Sequence, residues 1–117
     1  MAAFIDASAP RVYGAALAAA ADAGAAEDVA HEVLREAVAG RARADARSLV
    51  ESAVLQAVRT APHPAFAPLR AGDREAVALA RLAGYSVAEV ADALAIPSTE
   101  ARSRMTSGLR RLAEAVT

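Results

Sequence analysis

Apolar side chains recur along this chain at intervals of three and four, the period of a helix with one buried face. Val12, Tyr13, Ala16 and Leu17 form one such stripe, on a helix expected from about Pro10 to Ala21. Pro10, with Ser8 just upstream, suits a first helical turn, where its missing N–H is no loss. Asp22, Ala23 and Gly24 break the pattern. A second helix is expected over about Ala25 to Ala39, with Ala26, Val29, Ala30, Val33, Leu34, Ala37 and Val38 inward. Glu27 and Asp28 sit near its positive end, and Gly40 stops it. A third runs from about Ala42 to Thr60 with Leu49, Val50, Ala53, Val54, Ala57 and Val58 inward; Arg41, Arg43, Asp45, Arg47 and Glu51 read as its solvated face.

Ala61 to Pro68 holds three prolines, which prevent a continuing helix and favour extended backbone. The expected organisation is therefore a three-helix segment over 1–60, a proline-rich linker over 61–68 with Phe66 as an apolar peg, and a second helical unit over 69–117. In that unit a fourth helix spans about Gly72 to Ala83 and ends at Gly84. Ser86-Val87-Ala88-Glu89 is a capping box that starts a short helix, Val87 to Leu94. Ala95-Ile96-Pro97 makes a tight break, and a sixth helix starts near Ser98 or Thr99 and runs to about Ala115.

Composition supports an all-α fold, since Ala, Leu, Arg and Glu are dense and β-branched runs are nearly missing. The hydrophobic fraction of 56% overstates the core, because much of it is alanine, which buries little area. The formal charge is −1, so there is no global basic field. It is mildly polarised: Arg70 to Thr117 has seven arginines against six acids, and the rest six against eight. The absence of cysteine excludes disulfides, thiolate nucleophiles and cysteine zinc sites. No segment approaches the about 20 apolar residues of a membrane span, and the first residues do not form a secretion signal, so a cytoplasmic protein is expected.

The chemistry concentrates in the last helix. If Ala101, Met105, Gly108 or Leu109, and Leu112 face the core, then Arg102, Ser103, Thr106 and Arg110 point away, with Ser98 and Thr99 at the tip. Arginine bridges two acceptors on guanine or clamps phosphate, and hydroxyls reach either. A short helix, a tight turn and a second helix so equipped is the arrangement that braces a DNA backbone and enters a major groove. The same periodicity also describes an ordinary amphipathic surface helix.

At these residues the chain resembles the sigma-70 family of bacterial transcription initiation factors, particularly the small extracytoplasmic-function type. Leu69, Arg74, Glu75, Ala76 and Leu79, then Gly84, Ser86, Glu89, Val90, Ala91, Leu94, Ile96 and Pro97, follow the pattern of region 4, and Arg102, Ser103 and Arg104 stand where that family has K-S-R. The resemblance implies that Ser86, Ser98, Thr99, Arg102, Ser103, Arg104, Thr106 and Arg110 face promoter DNA at a minus-35-like element, and that the unit meets the polymerase β flap. The run from Val12 to Leu17 and the run Ala26-Glu27-Asp28-Val29-Ala30-His31-Glu32-Val33 are similar to the start of region 2, whose helix docks on the β′ clamp. That likeness implies a partner face at Asp28, His31, Glu32 and Arg35 for RNA polymerase core or an anti-sigma factor.

Several positions depart from the family. Between Arg35 and Pro62 there is no Phe, Tyr or Trp, whereas unpaired bases are held by stacking on aromatic rings. The chain is therefore not expected to open promoters alone. His31 replaces a frequent glutamine, Glu100 and Ala101 replace a T-V pair, and Ala95 replaces the turn glycine. Glu100 adds repulsion near phosphates, and Ala95 is strained if its backbone is left-handed. These departures and the near-neutral charge keep a second reading open: a sigma mimic that binds an anti-sigma factor or polymerase without reading DNA. A LuxR-type helix-turn-helix fits the stretch from Ser103 to Leu112 less well. No enzyme, cofactor or metal site is expected. His31 and the acids around it lack further ligands, His63 lies in the linker, and Ser86, Ser98 and Ser103 have no base partner.

Overall fold

Alanine-rich segments with one apolar stripe have few outlets other than helix packed on helix. The computed structural model describes residues 2–40 and 45–115, with side chains from residue 7 onward. It is all-helical: α1 (Ala2–Ala19), α2 (Ala23–Val38), α3 (Ala46–Thr60), α4 (Ala71–Leu82), α5 (Val87–Leu94) and α6 (Ser98–Ala115), with one 3₁₀ turn at Pro64–Phe66. Among the described residues no helix is long and apolar enough to cross a membrane. The start of α3 expected at Ala42, with Arg41 and Arg43, lies outside the described residues.

Two helix starts differ from expectation for identifiable reasons. Pro10 lies inside α1 rather than in its first turn. A proline there removes one backbone bond, but Ser8, Val12, Ala16 and Ala19 are all buried on one face of α1, and that packing holds the helix through it. Asp22 does not merely interrupt the chain: its carboxylate accepts the Ala25 N–H at 2.8 Å and caps α2, which begins two residues earlier than expected. Asp45 caps α3 in the same way, accepting from the Ser48 N–H at 2.9 Å. Leu17 and Val38, expected inward, are 44% and 65% exposed, since small alanines let the helices meet along a narrower line than the stripe.

The segment 61–68 is extended only briefly. The Ala21 N–H donates to the Ala61 carbonyl at 2.7 Å, and the His63 N–H to the Ala19 carbonyl at 2.8 Å, so the chain is pinned against the end of α1. It then folds into the 3₁₀ turn, where His63 Nδ1 accepts the Ala65 N–H and Phe66 is buried. Helix α3 packs against both α1 and α4. The buried set is continuous, from Val12, Leu49 and Val54 to Val77, Leu79, Val90 and Ala101. An ion pair, Arg59 to Glu75 at 2.9 Å, joins α3 to α4; that bond is the main reason the Arg59 pKa lies above its ordinary value.

Candidate nucleic-acid interface

The turn between α5 and α6 sets the site. Ser86 Oγ accepts the Glu89 N–H at 3.2 Å, and the Glu89 carboxylate accepts the Ser86 N–H at 2.9 Å, so both halves of the capping box form. Ser86 is exposed but committed to this cap. At the other end Ala95 is left-handed, with φ 55° and ψ 47°. The Ile96 N–H reaches the Ala91 carbonyl and the Ala95 N–H the Asp92 carbonyl, which closes α5 as a Schellman motif. The Pro97 carbonyl then accepts the Ala101 N–H and opens α6.

Helix α6 is seated on α4 by small residues. Ala101 and Gly108 are buried, with Met105 and Leu112 half-buried between and beyond them. A Cβ at Gly108 would stand 2.5 Å from Val77 Cγ2, so only glycine permits this approach. Of the two candidates for that inward position, Gly108 is the one used; Leu109 is 40% exposed. The Ser107 hydroxyl donates to the buried Asp73 carboxylate at 2.8 Å, adding a polar tie to the same seam.

This seating fixes which side chains face outward. Thr99, Arg102, Ser103, Thr106 and Arg110, with Ser107 at the edge, line one shallow groove along α6. All but Ser107 are exposed, and Ser98 is exposed just before them. From Thr99 to Arg110 the row runs about 16 Å at the helical rise. Arg102 and Arg110 have no ion-pair partner among the described residues, so their guanidinium groups are available. Arg104 is placed differently. It bonds Glu100 at 2.7 Å and lies over Gly72, where a Cβ would be 3.1 Å from its Nη1. It therefore stands on the α4 flank, outside the groove, and it offsets the charge of Glu100.

On the opposite half, Asp28, His31 and Arg35 are exposed and Glu32 is half-buried. Asp28 and Glu32 line a hollow between α2 and the end of α3, together with Gln56 and Thr60. Arg35 reaches back to Glu32 at 3.0 Å, and His31 does not line the hollow. The face is thus acidic at Asp28 and largely neutralised one turn on.

Sequence reasoning missed a cluster at the junction of α3 and α5. Arg47 and Glu51 read as solvated face, yet the Tyr85 hydroxyl donates to Glu51 at 2.8 Å, and the Arg47 guanidinium lies 4.7 Å from the Tyr85 ring centroid. Arg47 also pairs with Glu89. Burial first, and the Glu51 bond second, raise the Tyr85 pKa above its ordinary value. The one available signal was rarity: aromatic residues make up 3% of the chain, so each ring deserved a structural role. The chain was compared with family models, curated proteins and solved structures, and nothing matches in any of the three.

Proposed function

We propose that the chain is a sigma-like transcription regulator that reads a minus-35-like promoter element through α6 and acts with bacterial RNA polymerase. The observation that carries this reading is the groove of Thr99, Arg102, Ser103, Thr106 and Arg110. It gathers hydroxyls and two guanidinium groups, unpaired among the described residues, on the free face of a helix whose other face is locked by Ala101 and Gly108. Such a set offers bidentate base contacts and phosphate contacts along one major groove. Helix α5, capped and held at a tight turn, is placed to brace the backbone. The hollow at Asp28 and Glu32 is the surface offered to polymerase core or an anti-sigma factor. Promoter opening is not part of the role. Of the aromatic rings described, Phe66 and Tyr85 are buried and Tyr13 is half-buried, which leaves little for flipped bases to stack on.

Fluorescence titration of minus-35-like and random duplexes, with the wild type and Arg102→Ala, tests the reading. Arg102→Ala should cost about 1–3 kcal/mol on the preferred duplex and relax sequence preference. If the wild type binds specific and random duplexes equally weakly at every salt concentration, and Arg102→Ala impairs only protein binding, the chain is a sigma mimic that reads no DNA.

A further inference from the structure

Arg11 of α1, Arg47 and Val50 of α3, and Gly84, Tyr85 and Glu89 at the α4–α5 corner line one open hollow beside the start of α5. The Ser86 and Glu89 amides are used by the capping box, and the full positive charges that line this hollow are the guanidinium groups of Arg11 and Arg47. Arg11 is exposed and has no partner among the described residues. Arg47 pairs with Glu89 at the surface, with side chains 58% and 36% exposed, a setting in which water and salt compete strongly with the pair. Tyr85 supports the Arg47 guanidinium from below, and Glu51 is occupied by the Tyr85 hydroxyl.

We propose that Arg11 and Arg47 form a second phosphate-contacting corner, so that duplex DNA read by α6 is also held by α1 and α3. The proposal rests on the reading of α6 as a DNA-facing helix. In a helix-turn-helix the second helix lies in the groove while the first crosses the sugar–phosphate backbone. The backbone that passes the start of α5 meets this corner next. Arg47 then exchanges the Glu89 carboxylate for a phosphate and keeps its place over the Tyr85 ring. Arg11, on a separate helix, takes a neighbouring phosphate. These contacts carry no sequence information; they fix orientation and add affinity. Glu89 sets the resting state, since it neutralises Arg47 until a phosphate replaces it.

The test compares wild type, Arg11→Ala/Arg47→Ala, Arg47→Lys and Glu89→Gln by duplex titration across a salt series, with helicity and thermal midpoint recorded for each. Each lost phosphate contact lowers the slope of log affinity against log salt by about 0.9, so the double variant should be shallower by about 2. Its ranking of duplexes should not change. Arg47→Lys, which keeps the charge, should retain most of the slope. Glu89→Gln preserves the capping box, because glutamine serves there too, and should tighten binding to all duplexes alike. A wild-type slope in a folded double variant, with sequence preference intact, overturns this corner and leaves the reading of α6 standing. A flattened slope in a chain that shows no sequence preference, and in which Arg102→Ala does nothing, removes the reading of α6 and with it the proposed arrangement, leaving Arg11 and Arg47 as phosphate contacts of a different, non-specific binding mode. No duplex binding by the wild type at low salt overturns both.

Discussion

Tyr85 shows how much one side chain couples in so small a core. Its ring is buried, its hydroxyl bonds Glu51 across the α3–α5 junction, and its face carries Arg47. Tyr85→Phe keeps the ring and removes the bond, and should cost about 1 kcal/mol by denaturant unfolding at neutral pH. The direction of its pKa shift adds a pH test. The folded chain holds the phenolic proton more tightly than the unfolded chain, whose tyrosine titrates at its ordinary value of 10.0. The contribution is therefore fully present below about pH 10 and is lost as pH rises through the raised folded value. The chain has no lysine, so the alkaline window is left to tyrosine. Wild-type stability should fall more steeply above pH 10 than that of Tyr85→Phe; parallel curves would mean that neither burial nor the Glu51 bond makes the folded chain hold the phenolic proton more tightly. None of this was legible at the residue level. Arg47 and Glu51 fall on the polar face of α3, and a charged residue that meets a neighbouring helix has the same sequence signature as one that meets water. The exposed groove residues of α6 were legible, because the apolar period of that helix leaves them no other side to face.

At the scale of elements, the best-read helix is α5, which spans Val87–Leu94 as expected because both of its ends are set by local chemistry. Ser86 and Glu89 close the first turn, and Pro97 stands just beyond the last. Ala95 is the weak point. It is the one non-glycine residue with positive φ among the described residues, and an L side chain in that conformation costs roughly 1–2 kcal/mol. Glycine removes this strain but gives the unfolded chain more freedom. Ala95→Gly should thus stabilise the fold by about 0.5–1 kcal/mol, read as a higher denaturant midpoint with unchanged slope; a lower midpoint would show that the turn relies on the Ala95 methyl group. Elsewhere local signals conflicted with packing. Gly108 and Leu109 both fall within the inward stripe of α6, and hydrophobicity favours Leu109. The close approach of Val77 decides for Gly108. Pro10 resembles a helix start by local rules, yet α1 runs through it because its buried face extends to both sides.

At the scale of the molecule, what the sequence left open is how its two halves lie together. The prolines of 61–68 mark an interruption, but nothing in periodicity announces that Ala61 and His63 pair with the end of α1 or that Arg59 reaches Glu75. Those contacts, with the Tyr85 cluster, bring the three-helix segment against α4 and α5 and leave a body of 44 × 30 × 18 Å. The consequence for DNA binding is geometric. At about 3.4 Å per base pair, the longest dimension covers at most about 13 base pairs. If α6 lies in a major groove with Arg11 and Arg47 on the adjoining backbone, the chain should protect one uninterrupted stretch of that size or less. Hydroxyl-radical footprinting with the purified chain measures this directly. Two protected patches separated by an open gap would mean that the halves part at 61–68 and bind independently. Arg59→Ala and Tyr85→Phe together should then widen the gap or make it appear. A single short footprint that both substitutions leave in place would show that the buried core from Val12 to Ala101, rather than its polar ties, holds the reader together.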